Sequence, residues 1–428
     1  MAHLNSCLTA CSLREQLVLR QVWFDVSFQN RRRALDVMLA ITNGKVMTIT
    51  NGTIDEGVVL IDGGKIKAVG RDVPIPEGAE VLDAKGKLIT PGLIDSHSHL
   101  AVFGEPSVWA NADGNEVTDP ITPQLRGIDA LNPRDPAIHD VVTGGVTTVY
   151  TGPGSANLIG GTGFAMKLRG RTVDEMVIPG TEAMKMALGE NPKRVYGEGQ
   201  KRAPRTRMGN AAVLREALVK AQNYMAKMEK AKEKTDENGA PPERDLKMEA
   251  LGRVLRREIK ARIHAHRADD IMTAIRIAEE FNLDYVIEHC TEGYKIADIL
   301  AAKKVRATVG PLLMSRSKME LLDVSLANPG ILAKAGVTVA IQCDTSSNTR
   351  WLACHTGIAV REGMPEDLAI RAITIIPAEI LGIADRVGSI EVGKDADVVV
   401  WNGHPFNTLS VAEKVFIEGE LVYERKAC

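Results

Sequence analysis

Two histidines one residue apart, His97 and His99, close the stretch LITPGLIDSHSHL that runs from residue 88 to 100. A Pro-Gly break is followed by the apolar pair Leu93 and Ile94, and the run turns polar at Asp95, as a strand does on leaving a core. Side chains alternate faces along a strand, so the two imidazoles project to one side. Such a pair suits a divalent metal ion, although a surface or hydrogen-bonded pair would look the same taken alone.

The rest of the chain shifts the balance toward metal. Further short apolar runs end in His264 and His266, in His289 and in Asp344, so that five of nine histidines fall at the ends of expected strands. His3, His139, His355 and His404 lie elsewhere and read as ordinary residues. Imidazoles collected at strand ends have no packing rationale, because buried polar rings need partners, and a bound cation supplies one. An ion held by imidazoles and a carboxylate, with a position left for water, lowers the pKa of that water from about 15.7 toward about 7. A carboxylate beside it can take the proton and return it to a leaving nitrogen, while the ion polarises the attacked carbonyl.

Eight short apolar runs carry these residues, at 93–97, 146–150, 164–168, 183–188, 262–266, 285–289, 305–309 and 337–343, with helical stretches such as 269–281 and 365–381 among them. That alternation predicts an α/β fold, a (β/α)8 TIM-like barrel over 93–386 with its site at the C-terminal strand ends; an open doubly wound sheet is the lesser alternative. Residues 38–92 and 387–428 instead show β-rich runs broken by Asn-Gly, Asp-Gly-Gly and similar pairs, which predicts one small β-sandwich domain built from both ends of the chain. A charged, Ala-, Lys- and Glu-rich insertion at 192–259 reads as two helices, more suited to a solvated or self-associating face than to catalysis. Residues 1–37 carry several arginines and no long hydrophobic centre; they read as a poorly packed extension, with ordered sequence starting at Met38.

At 428 residues, with 44% hydrophobic and 25% charged residues and a formal net charge of -2, the composition is that of a globular protein with no basic surface for nucleic acid or acidic membranes. No apolar run approaches the length of a bilayer span. The six cysteines show no Cys-x-x-Cys pair, which argues against a zinc ribbon or disulfide framework and for a reducing cytoplasm. Loop residues offer weaker signals. Glu105, Trp109, Asp113 and Glu116 lie in a long segment after the first strand, a lid or a plain surface loop. The glycine-rich TGPGSANLIGGTG after the second strand could present N–H groups to a carboxylate or carbonyl, but lacks the GxxxxGK[ST] phosphate pattern. Arg202, Arg205 and Arg207 form a basic cluster that either meets an acidic substrate or is simply solvated.

The ordered set PGLIDSHSHL, GGVTTV, IHAH, IEHC, IQCD and EVGKDADVVV resembles the amidohydrolase superfamily, in its imidazolonepropionase-like and prolidase-like branch, over most of the sequence from Met38 onward. That resemblance implies a metal-dependent barrel flanked by a β-sandwich. It implies His97, His99 and His264 as ligands, His289 as a further ligand or substrate contact, and Asp344 as the metal-bound proton shuttle. In HAH the first histidine matches the ligand position, leaving His266 as a substrate contact or a residue behind the ligands. Members with two ions bridge them through a carboxylated lysine on the fourth strand; Lys185 is the best candidate, with Lys167 and Glu182 as alternatives. The implied cofactor is a divalent metal, zinc foremost, as one or two ions. The implied activity is cleavage of a C–N bond in a small amide, cyclic amide, Xaa-Pro-type dipeptide or N-acyl amino acid, in a protein that can self-associate. Ring deamination is an alternative that wants a glutamate near strand five, and a catalytically silent scaffold is another that a complete ligand set disfavours.

Overall fold

The computed structural model describes residues 37–233 and 243–426. The poorly packed extension expected at 1–37 therefore lies, up to residue 36, outside the described residues.

Both ends of the chain contribute to one sheet. Strands β1 (Leu39–Met47), β2 (Thr53–Asp62) and β3 (Lys65–Gly70) form an antiparallel meander, and β4 (Glu80–Asp83) and β5 (Leu88–Pro91) run parallel to the two halves of β1. The turn between β2 and β3 is Gly63-Gly64, both at positive φ, which twists as the hairpin requires. Late in the chain, β14 (Val398–Trp401), β15 (Ala412–Ile417) and β16 (Glu420–Glu424) extend the sheet beyond β5. The strands thus make one continuous hydrogen-bonded sheet of eight, where two layers had been expected, and Ile41, Val59, Ile61, Ile89, Val398 and Phe416 bury one another within it.

The second sheet also has eight strands: β6 (Leu93–Ser98), β7 (Val146–Thr151), β8 (Ile159–Lys167), β9 (Ala183–Ala187), β10 (Lys260–Ala265), β11 (Tyr285–His289), β12 (Arg306–Val309) and β13 (Thr338–Ile341), paired in that order. It is a TIM-like barrel whose first and last strands are tied by side chain and backbone: the Asp95 carboxylate accepts the N–H groups of His97 (3.0 Å) and Cys343 (3.1 Å), and the Asp344 N–H donates to the His97 carbonyl at 3.3 Å. Asp95 is fully buried and burial pushes its carboxyl up to about 7, against the pull of those two N–H groups.

One feature departs from the regular barrel. β8 runs antiparallel to both neighbours, while the other strands share a direction. The loop 152–158 between β7 and β8 is too short for a helical crossover, so the chain returns as a hairpin. Gly152 packs directly on Gly163 of β8, where a Cβ would come within 2.5 Å of the facing Cα. Much of the glycine in TGPGSANLIGGTG thus serves close strand packing.

Outside the barrel, helices Ala268–Glu280 and Leu352–Arg361 among others cover the strands. In the 192–259 insertion, helices Arg207–Glu233 and Leu246–Leu255 are charged on one side, but Leu214, Leu218, Leu251 and Val254 join the main core. The insertion is therefore part of the barrel wall, and only its outer face is solvated. The two sheets meet through Gly92, whose Cβ would fall on the Thr147 side chain, and through the buried Lys167 ammonium, 2.6 Å from Asp397 and 3.1 Å from Asp395. No described helix is long and apolar enough to cross a membrane.

Candidate metal centre and its pocket

The strand ends bring the expected residues to one point. His97 stands on β6 and His99 just after it, Lys185 on β9, His264 on β10, His289 ends β11, and His266 and Asp344 follow β10 and β13. The Asp344 carboxylate lies 3.1 Å from His97 Nε2, 3.3 Å from His99 Nε2 and 4.0 Å from His289 Nε2. Among the described residues, two overlapping groups have ligand atoms within 4.8 Å of one another: His97, His289 and Asp344, and His264, His266 and His289.

What lies behind the rings fixes their orientation. His99 Nδ1 faces the Gly152 carbonyl at 2.9 Å, His289 Nδ1 the Gly310 carbonyl at 2.9 Å, and His97 Nδ1 the Glu288 carboxylate at 2.5 Å. With Nδ1 protonated toward these acceptors, each ring turns an Nε2 lone pair to the carboxylate of Asp344, the arrangement that metal-binding histidines require. His264 Nδ1 is buried without a hydrogen-bond partner. A buried imidazole nitrogen left in this state, in a ring that packs on those of His266 and His289, fits a cation as the missing partner.

The electrostatics agree. Burial holds His99 below its ordinary range, lowers His289 to about 3, and with its neighbours lowers His264 and His266 well below theirs, so the rings are neutral and their lone pairs available. Burial acts to raise Asp344, and positive charge at the His289, His97 and His99 nitrogens outweighs it and holds the carboxyl well below the usual range; with neutral rings, a bound cation would supply that charge in place of protons. His289 and Asp344 have φ of 66° and 63°, a left-handed backbone unusual outside glycine and concentrated at functional sites. At His289 this turn breaks strand alternation, and the consecutive residues Glu288 and His289 both reach the interior.

Strand direction separates the three candidate side chains. Lys185 is buried with its Nζ 3.4 Å from His97 Nε2, and burial brings its pKa down to about 8. Because β8 is reversed, Lys167 emerges at the opposite rim among Asp395 and Asp397. Glu182, at the start of β9, pairs with Arg253 away from the centre.

Some contributors were not expected from the sequence. Glu288 is fully buried, and its Oε1 lies 2.7 Å from Arg262 Nε while its other oxygen holds His97 and Thr308. Arg262 also donates to the Ser96 carbonyl and stacks over the Tyr150 ring at 4.1 Å. Its signal was present: Arg262 shares a strand face with His264, and a cation inside an apolar run demands a counterion. A cavity of about 250 Å³ opens above the centre, lined by Asp344, His264 and His266 and by Ser155, Asn191 and Lys318. Lys318 Nζ lies 2.5 Å from the buried Glu320, 3.1 Å from Asn191 Oδ1 and 3.2 Å from His266 Nε2. His266 Nδ1 faces Thr291 Oγ1 at 2.7 Å. Nothing near His264 and His266 in sequence offered a glutamate, yet Glu320 sits 3.8 and 3.7 Å from them, already taken by Lys318 and the Glu190 N–H. Arg202, Arg205 and Arg207 do not line the cavity; Arg207 pairs with Asp270 at 3.0 Å. In the long loop, Glu105 accepts from Ser347 at 3.0 Å, while Trp109 is 92% exposed.

Residues 88–422 match the amidohydrolase family. The amidohydrolase tasK of Hapsidospora irregularis is 30% identical over 86% of this chain, which spans only 40% of that protein's length. The imidazolonepropionase of Sphingopyxis alaskensis is 24% identical over 87% of this chain and 94% of its own. A solved amidohydrolase from Thermotoga maritima is 47% identical and superposes with a TM-score of 0.86 over 90% of this chain and all of its own. A solved prolidase shares the fold, at 18% identity and a TM-score of 0.53 over 91% of this chain and all of its own. A barrel carrying this ring of imidazoles and one carboxylate, with matches of that extent, places the chain in the amidohydrolase family, as a hydrolase acting on carbon–nitrogen bonds.

Proposed function

We propose that this protein hydrolyses the amide bond of a small molecule, an N-acyl amino acid, dipeptide or cyclic amide, at a centre that binds one or two divalent ions, zinc foremost. The observation that carries the reading is that three Nε2 lone pairs turn toward Asp344 while each Nδ1 is tied off behind. His97, His99, His264, His289 and Asp344 would hold the metal, with Lys185, once carboxylated, joining them if two ions bind. When bound, the metal supplies an acidified water and polarises the carbonyl. Asp344 accepts the proton released as the nucleophile forms and delivers it to the departing nitrogen. His266, at the cavity wall, contacts the substrate. Glu288 holds the His97 tautomer, and Pro311, Met314 and Lys318 form part of the cavity wall beside the reacting bond.

Ring deamination is less favoured, because Glu320, the acid nearest His264 and His266, is committed to Lys318 and the Glu190 N–H. The complete donor set argues against a silent scaffold. We divide the chain into a β-domain at 38–92 and 387–428 and a barrel at 93–386 with its insertion at 192–259, and assign it to a reducing compartment, the cytoplasm, in keeping with the buried free thiols of Cys290 and Cys343. The test is elemental analysis of the purified protein combined with a screen of N-acyl amino acids, dipeptides and cyclic amides. A protein that binds no divalent ion, or turns over a substrate at a rate indifferent to chelation and to added zinc, overturns the proposal.

A further inference from the structure

Lys318 reaches the cavity wall from the loop after β12, and its ammonium is surrounded by lone pairs. Glu320 Oε1 lies at 2.5 Å, Asn191 Oδ1 at 3.1 Å and His266 Nε2 at 3.2 Å. An ammonium only donates, so its three hydrogens are spent on these three atoms and none is left for a substrate. The same contact fixes His266. Its Nε2 must accept, so the ring proton stays on Nδ1 and is donated to Thr291 Oγ1 at 2.7 Å. Both nitrogens are thus engaged, and contact between His266 and a substrate falls to the ring carbons.

The donors around Lys318 are held from behind. Glu320 Oε2 accepts the Glu190 N–H at 2.9 Å, and the backbone closes on that oxygen at Gly189, which has φ of 84° and where a Cβ would come within 2.7 Å of it. The Asn191 amide nitrogen donates to Ser155 Oγ at 2.9 Å, which orients its carbonyl oxygen toward Lys318. Glu320 and His266 are buried, and a buried carboxylate demands a cation. A carboxylate oxygen, an amide oxygen and an imidazole nitrogen fixed around one point are the donor set of a divalent-cation site, zinc foremost because an imidazole is among them. Zinc would draw such atoms in to about 2.0–2.2 Å.

We infer that Glu320, Asn191 and His266 form a further cation site, separate from the centre at Asp344, whose occupant is the protein's own Lys318 ammonium. Lys318 is there a positioning residue: it keeps His266 from ligating a metal and keeps a free divalent ion out of the substrate cavity. Of the two groups of clustered ligand atoms, the one that includes His266 is thereby reduced to His264 and His289. A tethered ammonium neutralises Glu320 without the exchangeable water that a bound ion would bring into the cavity. This goes beyond the proposed hydrolysis and does not depend on it.

The test compares full-length wild type, Lys318→Ala and the double variant Lys318→Ala, Glu320→Gln, each prepared with zinc present and desalted. Elemental analysis gives ions per chain, with zinc calorimetry and thermal denaturation beside it. Lys318→Ala is expected to carry one zinc ion per chain more than wild type, and added zinc to raise its thermal midpoint more than that of wild type. The double variant, which lacks the carboxylate, returns to the wild-type number, an outcome that a mere loosening of the loop would not produce. Equal zinc content in wild type and Lys318→Ala, or an extra ion that persists in the double variant, overturns the inference. So does a Lys318→Ala chain that stays unfolded with zinc present, because an ion in that place would compensate Glu320. No zinc in wild type with one ion in Lys318→Ala sustains the site and removes the metal-dependent activity; zinc in wild type with no gain in the variant leaves that activity standing and removes the site.

Discussion

Glu288→Gln is the sharpest test of how the fold prepares the centre. In the native protein one carboxylate oxygen of Glu288 faces Arg262 and the other faces His97 Nδ1, with no exposure to solvent. Burial would raise this carboxyl, but Arg262 and His97 outweigh it and hold it far below the usual carboxylate range, so it stays charged. Glutamine has one oxygen and one NH2. If the oxygen stays with Arg262, the NH2 faces His97 and favours the tautomer with its proton on Nε2, the atom turned toward Asp344. If it is reversed, the NH2 confronts the Arg262 guanidinium instead. The first outcome removes a ligand lone pair and is expected to weaken zinc binding about 10- to 100-fold, or about 1.4 to 2.7 kcal/mol. Both outcomes leave the buried Arg262 without its counterion, a loss of about 3–5 kcal/mol in folding stability. Arg262→Met, Glu288→Leu removes both charges and the acceptor behind His97 Nδ1, and should recover most of the stability while leaving zinc binding weak. Chelator competition gives the affinity, and urea denaturation of the metal-free protein gives the stability. Wild-type zinc affinity in the double variant would refute the claim that Glu288 sets the His97 tautomer.

Further outcomes follow from neighbouring groups. Asp344→Asn should lower kcat by about 10²- to 10⁴-fold while metal content by elemental analysis stays near the native value, as expected for loss of a proton-transfer group; full activity would remove Asp344 from the mechanism. Where the native protein carries two zinc ions per chain, Lys185→Met should leave one, and an unchanged stoichiometry would rule out a carboxylated bridge. Away from the centre, burial lowers His355 to about 4 from an ordinary 6.5. The folded state then binds fewer protons than the unfolded one between those values, so this group's contribution is full above pH 6.5 and is lost as pH falls toward 4, by up to about 3 kcal/mol. In His355→Gln, denaturation measured across that range should show a correspondingly flatter dependence on pH.

Local pattern alone determined a good deal of this protein. Period-two alternation put His97 and His99 on one face, the apolar runs marked the strands that carry His264, His289 and Asp344, and glycine-rich turns at both chain ends announced the second sheet, because these features depend on residues adjacent in sequence. Tertiary structure decided the rest. Lys185 led Lys167 and Glu182 as text without excluding them; they separated once β8 ran backwards and sent Lys167 to the far rim. Glu288 was hidden because alternation assigns consecutive residues to opposite faces, and only the left-handed turn at His289 lets both face inward. Lys318, Asn191 and Ser155 come from three separate stretches, after β12, β9 and β7, with no common motif, and they line one cavity only when the barrel closes. Periodicity encodes which way a side chain leaves its own strand, whereas the partner it meets depends on strand direction and closure, which no local window contains.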